Sequence, residues 1–124
     1  MTITTDSERV RKVFEPTCPS NTRRVQAIQE IHTAGIPACI AMTPLLPVEE
    51  PETFAETLAA TGVTSFIVQP FHPQKGMFVA GMRDRALRLI QELGWTEERY
   101  QEVAGVFRRR LPHLGEGKEG FAAP

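Results

Sequence analysis

Polar and apolar residues alternate in short blocks along this chain, and one block breaks the alternation. Ile36–Met42 is an unbroken run of apolar or small residues, bounded by Gly35 and Pro44. A strand with one face in water would interleave polar positions. This run therefore predicts a parallel strand, Ile36–Thr43, buried on both faces. Gly35 suits the left-handed cap of a preceding helix, Pro37 is tolerated at a strand's first residues, and Pro44 and Pro47 stiffen the exit loop. Upstream, Thr2–Thr5 are β-formers, and Asp6 is an N-cap for a helix carrying Val10, Val13 and Phe14 on one side. Ser20 opens a second helix with an apolar stripe at Val25, Ile28 and Ile31. Pro51, flanked by Glu49, Glu50 and Glu52, suits a helix first turn, and Phe54, Ala55 and Leu58 give that helix its buried face, with Gly62 as its cap. Val63–Val68 is a further apolar run and predicts a third strand.

The order from Met1 is thus strand, two helices, strand, helix, strand, the alternation of a parallel sheet with right-handed crossovers. Two more helices follow, one marked by Ala86, Leu87, Ile90 and Leu93, the next N-capped by Thr96 and carrying Tyr100, Val103, Ala104 and Phe107. From Pro112 onward Gly, Glu, Lys and Pro dominate, which predicts a mobile tail. The fold class is α/β: a partial parallel (β/α) barrel of about three strands with covering helices and a helical C-terminal extension. The segments are 1–79 for the half barrel, 80–114 for the extension and 115–124 for the tail. A strand beginning directly after Met1 makes the chain look like the later part of a larger fold.

At 124 residues the chain fits one domain and is short for a closed barrel. Lys and Arg number 14 against 15 Asp and Glu, which excludes a global polycation but not a local basic patch. No apolar run reaches a membrane span and no signal-peptide layout opens the chain, so it reads as soluble and cytoplasmic. The two cysteines, Cys18 and Cys39, make no disulfide framework.

In parallel sheets ligands sit beyond the carboxyl ends of strands. Those ends carry Thr4 and Thr5, then Thr43 and Pro44, then Gln69 and His72. His72, between two prolines at a strand end, is the better functional histidine, read as substrate-binding; His32 and His113 fit the surface. Arg23 and Arg24 fall in a helix first turn, where cations oppose the macrodipole, so they are either solvated or matched by an anion such as a ligand carboxylate. Arg108–Arg110 close the last helix, where cations complement the dipole. No phosphate-binding glycine loop, nucleophile–base–acid order or clustered metal spacing occurs.

FEPTCPSNTRRVQAIQEIHTAGIPACIAMTPLLP, preceded by TITT, resembles the second half of the radical S-adenosylmethionine (SAM) core of the spore photoproduct lyase or DNA-repair-photolyase-like group. The shared features are a TITT-like strand before a helix ending in EP, a PSxxRR helix continuing through Ala27-Ile28, AGIP, and a proline-rich strand exit. They cover Thr2–Pro47 well and Gly62–Pro70 loosely. The resemblance implies a partial barrel whose last strands bind SAM, with Thr4 or Thr5 near the cofactor and Arg24 pairing with its carboxylate. Backbone around Thr43–Leu45 and Val68–Pro70, hence Thr43, Pro44 and Gln69, would border the adenosyl group. The family's CxxxCxxC loop, which holds a [4Fe–4S] cluster, has no counterpart here, so the chain offers no cluster or metal ligands. The family's glycine after the strand exit is replaced by Val48.

The leading expectation is a radical SAM subunit or fragment, catalytic only when completed by an N-terminal half carrying the cluster motif. The rival is a non-catalytic small-molecule or protein-binding α/β module. Nucleic-acid contact through Arg108–Arg110 is a third possibility. A sheet of three parallel strands leaves open edges, so self-association through TITT is expected as well.

Overall fold

The structure, a computed structural model, describes residues 1–70 and 83–116. Eight elements follow one another: α1 (Glu8–Phe14), α2 (Asn21–Thr33), β1 (Ile40–Leu45), α3 (Pro51–Ala60), β2 (Phe66–Pro70), α4 (Arg83–Glu92), α5 (Glu97–Arg110) and β3 (Leu114–Glu116). The described strands form one parallel sheet in the order β1-β2-β3, with Ile40 beside Phe66 and Phe66 beside Leu114. The α/β class and the parallel sheet agree with the sequence pattern. The described sheet does not close into a barrel.

The expected first strand, Thr2–Thr5, reduces to one bridge, Thr2 to Ala41. Ile3 N–H donates to the Ala41 carbonyl at 3.0 Å, and the Thr4 carbonyl accepts from Leu46 N–H at 2.8 Å, just past the end of β1. The expected start of β1 at Ile36 is also corrected. Ile36 N–H bonds back to the Ile31 carbonyl and Gly35 N–H to that of His32, so both residues cap α2, with Gly35 at φ 80°. Ile36 is accordingly 55% exposed. Thr43 and Pro44, expected to end the strand and begin its exit loop, lie inside β1, where the Thr43–Pro44 peptide is cis and the register shifts between Met42 and Leu45. The third strand starts later than expected, at Phe66.

One face of β1 and β2 is buried. Ile40, Met42, Phe66 and Val68 pack there with Ile28 of α2, Leu58 of α3 and Phe107 of α5. Phe54 and Phe107 join α3 to α5 edge to face, with centroids 5.8 Å apart. The alternate positions, Ala41, Thr43, Ile67 and Gln69, are only half-buried. Burial on both faces was therefore half right. The run looks uniformly apolar because Ala41 and Ile67 are apolar at the wetter positions, and composition alone does not report coverage.

The helices are tied by side chains at their ends. Ser20 and Thr96 cap α2 and α5 as expected, each accepting a backbone N–H. Asp6 does not cap α1; the next residue, Ser7, does. The Asp6 carboxylate instead accepts from Glu49 N–H at 2.9 Å and Glu50 N–H at 2.7 Å, leading into α3, which has no side-chain cap of its own. Gly62 ends α3 at φ 87°, a conformation that favours glycine, and a Cβ there would stand 2.7 Å from the exposed His32 imidazole, which would have to move. A second small core of Val10, Leu46 and Leu89 joins α1 to α4. The segment expected to be mobile from Pro112 contains β3; residues 114–116 pair with β2, and Arg108 binds the Glu116 carboxylate. Residues 117–124 lie outside the described residues. No described helix is long and apolar enough to cross a membrane.

Candidate functional site

The N-terminal segment brings Thr4, Thr5 and Arg24 close together but commits each to the protein. Thr4 Oγ1 donates to Glu15 Oε1 at 2.9 Å, and Arg24 Nη1 lies 3.3 Å from the same oxygen. Arg24 Nη1 also donates to the Thr2 carbonyl at 3.0 Å. The arginine side chain is 8% exposed. Of the two alternatives for these first-turn cations, Arg24 takes the anion, which is Glu15 at the end of α1 and not a ligand carboxylate, while Arg23 is exposed. Thr5 Oγ1 donates to the Pro47 carbonyl at 2.6 Å and accepts from Ser7 N–H at 3.1 Å. These contacts lock the N-terminal segment to both the exit of β1 and the start of α1.

Thr43 and Gln69 fall on the half-buried sheet face near the carboxyl ends of β1 and β2, with Pro44 beside them. Gln69 is already engaged in an interaction within the chain. His72 lies outside the described residues. Cys18 and Cys39 are free thiols, and among the described residues no group of three or more His, Cys, Asp or Glu is placed to hold a metal.

A described cleft lies between α2 and α3, and of the expected site residues Thr5 lines it. It has a volume of ≈380 Å³ and an apolar floor of Ile3, Val25 and Phe54. Its polar wall is Thr5 and Asp6 from the N-terminal segment, Asn21 and Thr22 from the first turn of α2, and Glu50, Thr53 and Thr57 at the start of α3. The feature that stands out is Asn21. Its backbone N–H donates to Glu8 Oε1 at 2.9 Å, yet its side-chain oxygen and nitrogen are both sealed from solvent without a hydrogen-bond partner. An amide buried unpaired costs about 1–3 kcal/mol. The side-chain charges in this wall are those of Asp6 and Glu50, with no cation among the lining residues. The beginning of α3 meets the Asp6 carboxylate here, a favourable alignment for negative charge.

Of this wall the sequence pointed only to Thr5. Asn21 and Thr22 follow the Ser20 cap and were legible as first-turn residues, but nothing local says that they face α3. Asp6 carried the clearest signal: in the Asp6-Ser7 pair either residue can cap a helix, and the one not used is free to reach elsewhere.

The arginines at the end of α5 are answered by acids. Arg108 pairs with Glu116, Arg109 lies 3.8 Å from Glu52, and Arg110 meets both Glu52 and Glu56. Burial pushes the Tyr100 phenol up to about 12, with the Glu116 carboxylate adding to the effect. The Arg108 guanidinium holds the Glu116 carboxyl below the usual carboxylate range, and Arg11 does the same for Glu8.

The fold and the cleft define an α/β domain with a parallel sheet and a small-ligand-sized hollow between α2 and α3. No protein-family model, no curated protein and no solved structure matches the chain.

Proposed function

We propose that this chain is a small-molecule-binding α/β module whose ligand occupies the cleft between α2 and α3. The observation that carries the reading is the unpaired Asn21 amide in the wall of a cleft of ≈380 Å³. That volume falls in the range of small-molecule sites, about 300–1,000 Å³, and the lining sets a mostly polar wall against an apolar floor. The two carboxylates select a neutral or cationic ligand that donates hydrogen bonds, an amine- or hydroxyl-bearing molecule with an apolar body. Free phosphates and simple carboxylic acids are disfavoured by the same charges. A thermal-shift panel of nucleosides, amino-acid derivatives and amines, with phosphate esters as the negative set, tests the reading. At least one cationic or neutral member is expected to raise the melting temperature. Thr53→Trp, at an exposed position in the wall, is expected to leave the unliganded melting temperature nearly unchanged and to abolish that shift. A panel with no stabilising member, or a shift that survives Thr53→Trp, would sink the reading.

The radical SAM resemblance gives a second reading, favoured by the sheet's half-buried face and the place of Thr43, Pro44 and Gln69 at its carboxyl end. Here the chain supplies the SAM-binding half, and a partner with CxxxCxxC supplies the [4Fe–4S] cluster and the electron. The carboxylate partner expected of Arg24 is replaced by Glu15, so SAM would be held by the rim and the acidic cleft, which suits a sulfonium cation. Calorimetry with SAM on the isolated chain, and on the chain mixed with such a half, decides this reading. No SAM heat in either sample would retire it.

A further inference from the structure

We infer that this chain forms a two-fold dimer by exchanging β3, so that the C-terminal strand of each copy lies beside β2 of the other. Among the described residues, the groups that hold β3 precede it in the chain. Leu114, Gly115 and Glu116 lie beside Phe66, Ile67 and Val68 of β2, and Leu114 packs against the main core. The Arg108 guanidinium on α5 donates to the Glu116 carboxylate at 3.1, 3.0 and 2.6 Å. A second copy offers the same groups, so its β3 can dock with each of these contacts kept. The two arrangements differ at the turn.

α5 ends at Arg110, and Leu111, buried, stays with the helix through its N–H bond to the Phe107 carbonyl. Only Pro112 and His113 then remain to bring the chain back to β2 at Leu114. His113 does so at φ 48°, and among the described residues it is the one non-glycine residue with positive φ. A side chain in that left-handed region is strained. Leu111, at φ −106° and ψ 130°, is already extended as the residue before a proline should be, so opening the turn needs change only at Pro112 and His113. The opened turn lets His113 become extended and releases its strain, and a short strained hinge favours exchange between copies. The strand released is three half-buried residues, so little apolar surface is exposed on the way. Exchange in both directions closes the dimer, and β2 stays covered in either form. It competes with a short tether whose effective concentration is about 1 mM, so the dimer grows in as the chain is concentrated.

Size-exclusion chromatography with light scattering on two charge-reversed variants tests the exchange. Arg108→Glu sets two carboxylates together and Glu116→Arg sets two guanidiniums together, so neither variant seats β3 well, alone or with its own kind. In an equimolar mixture an exchanged dimer restores both pairs, one junction with its charges reversed and the other as in the unaltered chain. The mixture is expected to hold a discrete dimer in at least about fivefold excess over either variant alone. Adding His113→Gly to both members relieves the closed turn and is expected to weaken that dimer at least about fivefold. The unaltered chain is expected to show the same dimer when concentrated to about 1 mM. Arg23→Glu mixed with Glu30→Arg carries the same net charges at exposed sites on α2 and is expected to stay monomeric under the conditions of the first mixture. The inference is overturned if the first mixture is no more dimeric than its separate members, or if the α2 pair dimerises equally. It is also overturned if His113→Gly leaves the dimer as strong or stronger, or if the unaltered chain stays monomeric when concentrated.

Discussion

Arg24 shows how far a residue's position and its surroundings can differ in meaning. From sequence it is a cation in a helix first turn, an unfavourable place that points outward to some anion. In the fold that anion is Glu15, Thr4 shares the carboxylate, and the guanidinium also holds the Thr2 carbonyl. The spacing EP-x-x-P-S-x-x-R-R places Glu15 and Arg24 nine residues apart across a turn, and no local periodicity links them. That is why the mismatch was legible and its resolution was not. The consequence is measurable. An exposed arginine would tolerate alanine, but removing one partner of a mostly buried pair strands the other. Arg24→Ala is expected to cost about 1–3 kcal/mol in urea unfolding, whereas Arg23→Ala, exposed beside it, should stay within about 0.5 kcal/mol. Equal and small effects would mean that the pair contributes nothing.

At the scale of elements, helices were read more accurately than strands. The stripes on α3 and α5 reappear as buried faces because each spans enough residues for its period to show: Phe54, Ala55 and Leu58 on α3, Tyr100, Val103 and Phe107 on α5. β3 was missed because Leu114–Glu116 has three residues, one of them Gly115, and its pairing with β2 depends on α5 delivering it. The first and third strands were shifted for the same reason in reverse: β-forming residues at Thr4, Thr5 and Val63 are buried without joining a ladder. Docking of β3 also leaves a titration signature on α5. Tyr100 is buried, and Glu116, held in place by Arg108, adds a negative charge that further disfavours the phenolate, so the phenol is pushed up to about 12. A folded-state value above the unfolded one gives stability that is complete below pH ~10 and declines as pH rises from there towards about 12. Tyr100 is the sole tyrosine, so tyrosinate absorbance reports it without ambiguity. The native chain is expected to titrate well above a free tyrosine, and Glu116→Gln should move that midpoint down. A native midpoint near that of free tyrosine would place Tyr100 in water and contradict the packing of α5.

Across the whole molecule the sheet has two outer sides, and they are protected by different means. On the N-terminal side, Ile3 N–H and the Met1 carbonyl turn inward to Ala41, and the Thr2 carbonyl is taken by Arg24. The self-association expected through TITT would therefore have to compete with that arginine. On the other side lies β3, short and carrying Glu116, both features that discourage a further strand. What β3 covers is more hazardous: β2 begins Phe66-Ile67-Val68, an apolar edge whose Phe66 N–H bonds to the His113 carbonyl. Ending the chain after residue 112 would remove that acceptor, the β3 ladder and the Arg108–Glu116 contact together. The shortened chain is expected to grow in apparent mass with concentration in light scattering, and to do so far more than the full chain. Placing a lysine at Ile67, whose side chain is half-buried on the wetter face, should suppress that growth, since charged residues on an uncovered edge oppose strand addition. If the shortened chain scatters like the full one, β3 is not guarding the edge. Association that appears equally in both, and that rises on loss of Arg24, would move the contact to the N-terminal side, where the sequence pattern placed it.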